Sequence, residues 1–175
     1  SSTRVARRTA PPARQFAAPF EISTAADVRR LRVAGIFDEF SAHAFAPDCD
    51  LISLRVETWQ AQLAEHPPHL LFVESAWQGA GGSWERKINH CASELRDLVQ
   101  YCNERGIPTA FWNKEDPVHF GTFLNTATLF DSVFTTDFDC LHRYRELLGH
   151  ERVYVLPFAC QPLQHNPIEK FERKD

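Results

Sequence analysis

A chain of 175 residues has the usual length of one domain and can bury a hydrophobic core without a disulfide or a metal site. Its 43% hydrophobic and 24% charged residues are typical of a globular protein, and its hydrophobic runs are shorter than the roughly 20 residues that a membrane span needs. Four arginines against one acid give the first 25 residues a charge of +3, so the other 150 carry −7. An acidic body of this kind argues against a nucleic-acid partner.

Composition divides the chain into three parts. Residues 1–30 are rich in Arg, Ala and Pro and predict an N-terminal arm or linker, although an organellar transit peptide has a similar composition. Residues 31–160 predict one folded domain, and residues 161–175 the start of a connection to a further domain. The five cysteines form no CxxC pair, and their odd number favours reduced thiols and a cytoplasmic location.

Six short apolar runs alternate with helical stretches after residue 31. The predicted strands are 31–37, 50–54, 70–73, 109–112, 132–135 and 153–156, and the predicted helices are 58–66, 85–105, 122–129 and 138–148. The longest predicted helix places Cys91 and Cys102 on its buried face. This alternation predicts an α/β fold, a Rossmann-like parallel sheet of about six strands with helices on both faces.

Ligands of an open parallel sheet bind beyond the carboxyl ends of its strands. Polar and aromatic side chains gather after three of the predicted strands: Asp38 and Glu39 after the first, Glu74 and Trp77 after the third, and Asn113, Lys114, Glu115, Asp116 and His119 after the fourth. We therefore expect these loops to share one edge of the sheet and to form a site for a small polar ligand.

The loop after the fourth strand is the most polar of the three. Carboxylate and amide groups can hydrogen-bond sugar hydroxyls in pairs, and Asp116 or His119 could remove a proton from an acceptor hydroxyl. A structural interpretation is also open, in which Asp116 caps a turn at Pro117 while Lys114 and Glu115 are solvated. The aromatic residues on both sides of the loop favour the functional interpretation.

Two other positions allow two interpretations each. Glu74, at the tip of a buried strand, is either poised for chemistry or tied to backbone amides, and Trp77 either stacks on a sugar face or covers the core. The glycine-rich stretch 79–83 has neither GxGxxG nor a P-loop Lys, so it is a weak phosphate signal. The histidines have no HxH or HExxH spacing, and the sequence predicts no metal site.

Four strings of the sequence resemble one known family. They are FVESAW at 72–77, WNKEDPVHF at 112–120, FTTD at 134–137 and VYVLPFA at 153–159. Together they resemble the N-terminal half of the CgeB-like, spore-maturation-type glycosyltransferases. The resemblance covers about residues 31–175, and WNKEDPVHF is its most specific part.

The resemblance implies half of a GT-B enzyme, in which two Rossmann-like domains face each other across a cleft. The N-terminal domain of such an enzyme mainly holds the acceptor, a sugar or glycan that is free or protein-linked. The C-terminal domain mainly holds the nucleotide-sugar donor, and no metal or other cofactor is expected. The candidate catalytic residues are then Glu74, Asp116 and His119, and the candidate acceptor-binding residues are Asp38, Glu39, Trp77, Asn113, Lys114 and Glu115.

We expect this chain to be the acceptor-side domain of such an enzyme, inactive or nearly so in isolation, with its donor-binding half outside the sequence. The alternative is a non-catalytic Rossmann-like or flavodoxin-like domain that uses the same crevice for a small ligand or a partner. A receiver-type module would need a phosphorylatable Asp after the third strand, where this chain has Glu74.

Overall fold

The computed structural model describes residues 23–165. The strands in this range are β1 (Arg32–Ile36), β2 (Asp50–Ser53), β3 (Leu70–Glu74), β4 (Thr109–Asn113), β5 (Ser132–Thr135) and β6 (Val153–Val155). The α-helices in the same range are α1 (Ala25–Arg29), α2 (Glu39–Phe45), α3 (Trp59–Glu65), α4 (Ser93–Glu104), α5 (Phe120–Ala127) and α6 (Cys140–Leu148). A short 3₁₀ turn spans Ala80–Gly82.

The strands form one parallel sheet in the order β2-β1-β3-β4-β5-β6. This confirms the predicted fold class, and the predicted strands match the observed ones to within one residue at each end. Because β2 lies on one side of β1 and β3 on the other, the strand order changes direction between β1 and β3. Open α/β sheets have a crevice at such a switch point, between the loops that follow the two strands.

The larger core lies on one face of the sheet. Ala34, Ile36, Leu71, Val73 and Phe111 are buried there in one cluster with side chains of α3, α4, α5 and α6. Burying each of the larger side chains stabilises the fold by about 1.5–3 kcal/mol. Four helices thus cover this face and fix the positions of the loops that follow β3, β4 and β5.

The opposite face of the sheet is rich in aromatic residues. Phe45 of α2 packs on Phe37 and Phe72, with ring centroids 5.2 and 5.6 Å away. Gly35 makes room for this packing, since a Cβ at that position would overlap the Phe37 ring and lie 2.8 Å from Leu51 Cδ1. With α2 on this face, both faces of the sheet carry helices, as predicted.

The predicted helix 85–105 is wrong in its first half. Helix α4 begins at Ser93, and residues 83–91 form turns in which Arg86 and Cys91 have φ angles of 61° and 50°. The apolar spacing is nevertheless that of a buried stripe, since Ile88 and Cys91 in the turns are buried together with Cys102 in the helix. The spacing of the apolar residues identified the buried side chains correctly. It did not show that residues 83–91 form turns instead of a helix.

The other helices differ from prediction in smaller ways. Helix α5 begins and ends two residues before the predicted range 122–129, and α6 begins two residues after residue 138. Helices α1 and α2 are not predicted by the sequence analysis. A capping box between Thr24 and Asp27 starts α1, within the range assigned to the arm.

Parts of the predicted terminal regions lie outside the described residues, namely 1–22 of the arm and 166–175 of the connection. None of the helices described between residues 23 and 165 is long and apolar enough to cross a membrane.

Candidate functional site

All candidate residues lie at the edge of the sheet where the parallel strands end, which we call the carboxyl edge. A cleft of about 430 Å³ opens there between the loops that follow β1 and β3. We call it the switch-point cleft. It is lined by Asp38, Glu39, Phe40, Trp77, Gln78, Gly79, Gly81 and Gly82.

Asp38 holds the two loops of the cleft together. Its Oδ1 accepts hydrogen bonds from the backbone N–H groups of Gln78 (3.0 Å) and Gly79 (2.8 Å), and its Oδ2 accepts one from Trp77 N–H (3.0 Å). Burial alone would raise the pKa of Asp38, but these donors and the Lys114 ammonium outweigh it and hold the pKa below its ordinary value. Asp38 therefore shapes the cleft, and its carboxylate is largely engaged by the protein itself.

Gly79 makes this arrangement possible. Its φ of +67° is a conformation that side chains disfavour, and a Cβ there would lie 2.9 Å from the Trp84 side chain. The glycine-rich stretch 79–83 thus allows the loop to fold back so that its amides face Asp38.

A buried ion pair lies beneath the cleft. Lys114 Nζ is 3.0 Å from Oε1 of Glu74 and 3.4 Å from Oδ2 of Asp38. The Glu74 side chain is completely buried, whereas 11% of the Lys114 side chain is exposed. Lys114 is therefore not a solvated neighbour of the loop, because it joins the ends of β1, β3 and β4 into one unit.

The second carboxylate oxygen of Glu74, Oε2, takes no part in the ion pair with Lys114. Burial raises the pKa of Glu74, while the Lys114 ammonium and the Ser41 hydroxyl oppose the shift. Ser41 lies beside Glu74, and within residues 23–165 neither Glu74 Oε2 nor Ser41 Oγ makes a hydrogen bond of standard geometry. Both groups are buried, Ser41 being 2% exposed.

Other groups of the cleft are more accessible to a ligand. Glu39 and Gln78 are exposed, and none of the hydrogen bonds described for residues 23–165 involves either side chain. The rings of Phe40 and Trp77 are 57% and 39% exposed. The cleft thus offers a carboxylate, an amide and two aromatic surfaces.

Trp77 is held in place by two aromatic rings of the protein. Its ring packs edge-to-face against His119 and Phe123, with centroid distances of 5.2 and 5.3 Å. The two interpretations of Trp77 are therefore compatible, because one side of the ring packs on the protein and another part stays exposed. His119 lies one ring away from the cleft.

Asp116 belongs to a different cluster, away from the switch-point cleft. Its Oδ1 accepts hydrogen bonds from Asn113 Nδ2 (2.8 Å) and Tyr144 OH (3.3 Å), and its Oδ2 accepts one from Thr135 Oγ1 (2.6 Å). Burial raises the pKa of Asp116 to about 6, and Asp137 adds to the shift while the hydrogen bonds oppose it. This network connects the ends of β4 and β5 to helix α6.

Asn113 and Glu115 belong to the same network as Asp116. Asn113 is completely buried, and its amide also donates to Tyr144 OH at 2.9 Å, so it supports the loop from inside. Glu115 is partly buried and donates its backbone N–H to Asn113 Oδ1 at 3.2 Å. Asp38, Glu74, Lys114 and Trp77 come together around the cleft, whereas Asp116 and Asn113 do not join them.

Sequence reasoning missed five residues of the site. Thr135 ends β5, and Phe40 and Gln78 are each four residues past the end of a strand, so the rule that pointed to their neighbours could have found them. Ser41 and Tyr144 lie inside helices α2 and α6, and only the three-dimensional packing brings them to Glu74 and Asp116.

The described residues 23–165 contain no group of three or more His, Cys, Asp or Glu side chains that could hold a metal ion. All five cysteines of the chain are free thiols.

The fold and the cleft together define an α/β protein with a cleft at a topological switch point. Comparison with family models, with curated proteins and with solved structures gives no match.

Proposed function

We propose that this domain binds a sugar acceptor in the switch-point cleft, as the acceptor-side half of a nucleotide-sugar-dependent glycosyltransferase. The observation that carries the proposal is the combination of the free Glu39 carboxylate and Gln78 amide with the exposed rings of Phe40 and Trp77. A sugar presents hydroxyl groups at its edges and C–H groups on its faces. Carboxylate and amide groups hydrogen-bond the hydroxyls, and an aromatic ring covers the C–H face.

The charge of the cleft favours an acceptor over a donor. Asp38 and Glu39 line it, Lys114 is already paired with Asp38 and Glu74, and Arg55, whose Nη1 lies beside Gly81, is paired with Glu57. A nucleotide diphosphate needs positive or N–H groups directed at it, so an acidic cleft is a poor site for it. In this proposal the donor is held by another part of the enzyme.

Exposed apolar side chains around the cleft support a covering domain. At the carboxyl edge, large hydrophobic residues are exposed after β1, β4, β5 and β6, namely Phe40 in α2 (57%), Val118 (81%), Phe138 (67%) and Phe158 (55%). A donor-binding domain facing this edge would cover them and exclude water from the reaction.

The proposed reaction assigns separate roles to the candidate catalytic residues. As the acceptor hydroxyl oxygen bonds to the anomeric carbon, the bond to the nucleoside diphosphate breaks and the hydroxyl proton moves to a base. His119 is the proposed base, because its partly buried imidazole lies beside Trp77, which lines the cleft. Asp116 positions the loop that carries His119, and the fully buried Glu74 positions Lys114 and Asp38.

We also propose a cytoplasmic location for this activity. Five free thiols in one chain are typical of a reducing compartment.

The experiment is calorimetric titration of the chain with a panel of mono- and oligosaccharides. Trp77→Ala should weaken binding of the best saccharide about tenfold or more, because the aromatic surface of the cleft is removed. Tyr154→Ala is the matched control, since Tyr154 is 48% exposed on β6 and packs on Phe134. Equal effects of both substitutions, or no saccharide binding at about millimolar concentration, would contradict the proposal.

A further inference from the structure

Asp38 and Glu39 both line the switch-point cleft, but their carboxylates have different surroundings. Asp38 accepts three backbone N–H bonds and lies 3.4 Å from Lys114 Nζ, so both of its oxygens are already engaged. Glu39 is exposed, and none of the hydrogen bonds and ion pairs described between residues 23 and 165 involves its side chain. The Glu39 carboxylate is therefore available to a ligand.

The charge around the cleft is negative. Lys114 Nζ lies beneath the cleft between Asp38 and Glu74, so these two carboxyl groups offset its charge before Glu39 is counted. The lining of the cleft, within the part of the chain that the structure describes, includes neither lysine nor arginine. A cleft with a free carboxylate and no cation of its own attracts a positively charged ligand and repels a negatively charged one.

Arg55, at the rim of the cleft, does not change this balance. Its Nη1 lies beside Gly81, since a Cβ at Gly81 would be 3.1 Å from that atom. Its Nε lies 3.9 Å from Oε2 of Glu57, and both of these side chains are more than half exposed. Arg55 and Glu57 thus carry one charge of each sign in contact with water, where their effect on the cleft is small.

Two aromatic rings accompany the free carboxylate. Phe40 follows Glu39 in α2 and is 57% exposed, and Trp77, on the other loop of the cleft, is 39% exposed. The face of an aromatic ring attracts a cation that lies within about 6 Å of its centroid, and tryptophan does so most strongly. A carboxylate near two such faces suits an ammonium group carried by a ring that packs on them.

The glycines of the cleft leave room for such a ring. Gly79, Gly81 and Gly82 line it with backbone alone, and a Cβ at Gly82 would have no atom within 4 Å. The volume of about 430 Å³ lies within the range of about 300–1,000 Å³ that is usual for small-molecule sites. One pyranose ring with its substituents fits this space.

We propose that the acceptor in the switch-point cleft is an amino sugar, whose protonated amino group binds the Glu39 carboxylate while its ring packs on Trp77 and Phe40. Glu39 is then the specificity-determining residue, and Asp38 shapes the cleft around it. This inference rests on the proposed function, because it names the class of sugar that the same cleft takes.

The experiment is an NMR titration of the chain with four methyl glycosides that share one ring, those of glucosamine, N-acetylglucosamine, glucose and glucuronic acid. At about pH 6 the amino group of the first carries its proton. Shifts are followed at the Trp77 indole N–H and at the backbone amides of residues 38–40. The glucosaminide should bind about fivefold or more tightly than the two neutral glycosides, and the glucuronide most weakly. The preference should decrease at about 1 M salt, where the Debye length is about 3 Å.

Two variants test the role of the carboxylate. Glu39→Gln keeps the hydrogen-bonding capacity but removes the charge, so it should weaken glucosaminide binding about fivefold and glucoside binding by less than about twofold. Gln78→Glu adds a second carboxylate to the exposed lining and should increase the preference about twofold or more. Glu65→Gln, an exposed carboxylate at the end of α3, is the matched control and should leave the preference unchanged.

Equal affinities of the wild type for the glucosaminide and the glucoside would overturn this inference and leave the proposed sugar site standing. A preference that persists unchanged in Glu39→Gln would overturn it as well. Tightest binding of the glucuronide would also overturn it, and would assign Arg55 the larger part in recognition. Failure of all four glycosides to bind at about millimolar concentration would contradict the proposed function, and this inference with it.

Discussion

The backbone N–H of Asp38 donates a 2.5 Å hydrogen bond to Oε1 of Glu74, and the same oxygen accepts a hydrogen bond from Lys114 Nζ at 3.0 Å. The end of β1 is thereby tied to the end of β3, and Lys114 adds the end of β4. Three parallel strands thus meet at one buried carboxylate below the cleft. The energetic consequences of this junction can be measured.

Lys114→Met should reduce the free energy of unfolding by about 3 kcal/mol, because it leaves Glu74 buried without its cation. Glu74→Gln in the Lys114→Met background should recover at least half of that loss, since the amide removes the unpaired charge. Urea denaturation of Lys114→Met, Glu74→Gln and the double variant measures the loss in the free energy of unfolding and its recovery. A Lys114→Met variant within about 0.5 kcal/mol of the wild type would show that the pair is not a structural junction.

Asp38 and Glu39 are adjacent carboxylates with different expected roles. Asp38→Asn should lower the free energy of unfolding by about 1–2 kcal/mol, because Asp38 accepts three backbone N–H bonds of residues 77–79. Glu39→Gln should leave stability within about 0.5 kcal/mol and weaken saccharide binding, because Glu39 is exposed in the cleft.

Thermal unfolding and saccharide calorimetry on both variants separate these two roles. Glu65→Gln, an exposed carboxylate at the end of α3, is the control and should change neither quantity. A Glu39→Gln variant with wild-type saccharide affinity would remove Glu39 from the proposed site.

The carboxyl group of Asp116 predicts a pH dependence of stability. Its pKa is about 6 in the folded protein against an ordinary value of 3.8, so folding takes up a proton between these values. The contribution of Asp116 to the free energy of unfolding should therefore fall as the pH rises from about 4 to about 7. Solvent screening of this partly buried group reduces the expected change to about 1 kcal/mol.

Asp116→Asn is the matched variant for this measurement. An amide can still accept from Asn113 and Tyr144, and Thr135 Oγ1 can turn its hydrogen to Asp137 O, 3.2 Å away. The stability of the wild type relative to Asp116→Asn should increase as the pH is lowered from 7 to 4. A difference that is constant over this range would show that Asp116 titrates at its ordinary pKa.

Substitutions in the loop after β4 should affect transfer activity and stability to different extents. In the complete enzyme, His119→Ala should lower kcat/KM for sugar transfer about 100-fold or more, the usual scale for losing a general base. The same substitution should change the free energy of unfolding by less than about 1 kcal/mol, because the imidazole contributes one ring contact with Trp77. Glu115→Ala should have a smaller effect on transfer and little effect on stability.

Asp116→Ala should behave differently from these two variants. It leaves Asn113, Thr135 and Tyr144 without a shared acceptor, so stability should fall by about 2–3 kcal/mol. Wild-type turnover per folded molecule in His119→Ala would exclude His119 as the base.

The strands of this fold were predictable because each is a short apolar run of a parallel sheet, buried on both faces. Phe111 and Trp112 of β4 point to opposite faces and are both buried, which gives the continuous apolar pattern seen in the sequence. We could predict that Asp38, Glu74 and Lys114 share one edge of the sheet, because parallel strands all end at the same edge.

Other features depend on packing that the sequence does not display. The turns before α4 bury Ile88 and Cys91 at helical spacing without being a helix. The amide partners of Asp38 lie about 40 residues away, and the Tyr144 partner of Asp116 is on another element. Side-chain types and strand ends predicted which polar residues share one edge of the sheet, but not which carboxylates are hydrogen-bonded within the protein itself.

The central claim is that the switch-point cleft binds sugars and does not bind nucleotide-sugar donors. The most direct measurement is NMR titration of the isotopically labelled chain with the best saccharide and with UDP- and GDP-sugars, with chemical shifts mapped on the backbone amides. We expect the saccharide to shift residues 38–40 and 77–82, and the nucleotide-sugars to bind no better than about millimolar. Micromolar binding of a nucleotide-sugar, or saccharide shifts confined to residues outside the cleft, would contradict this account.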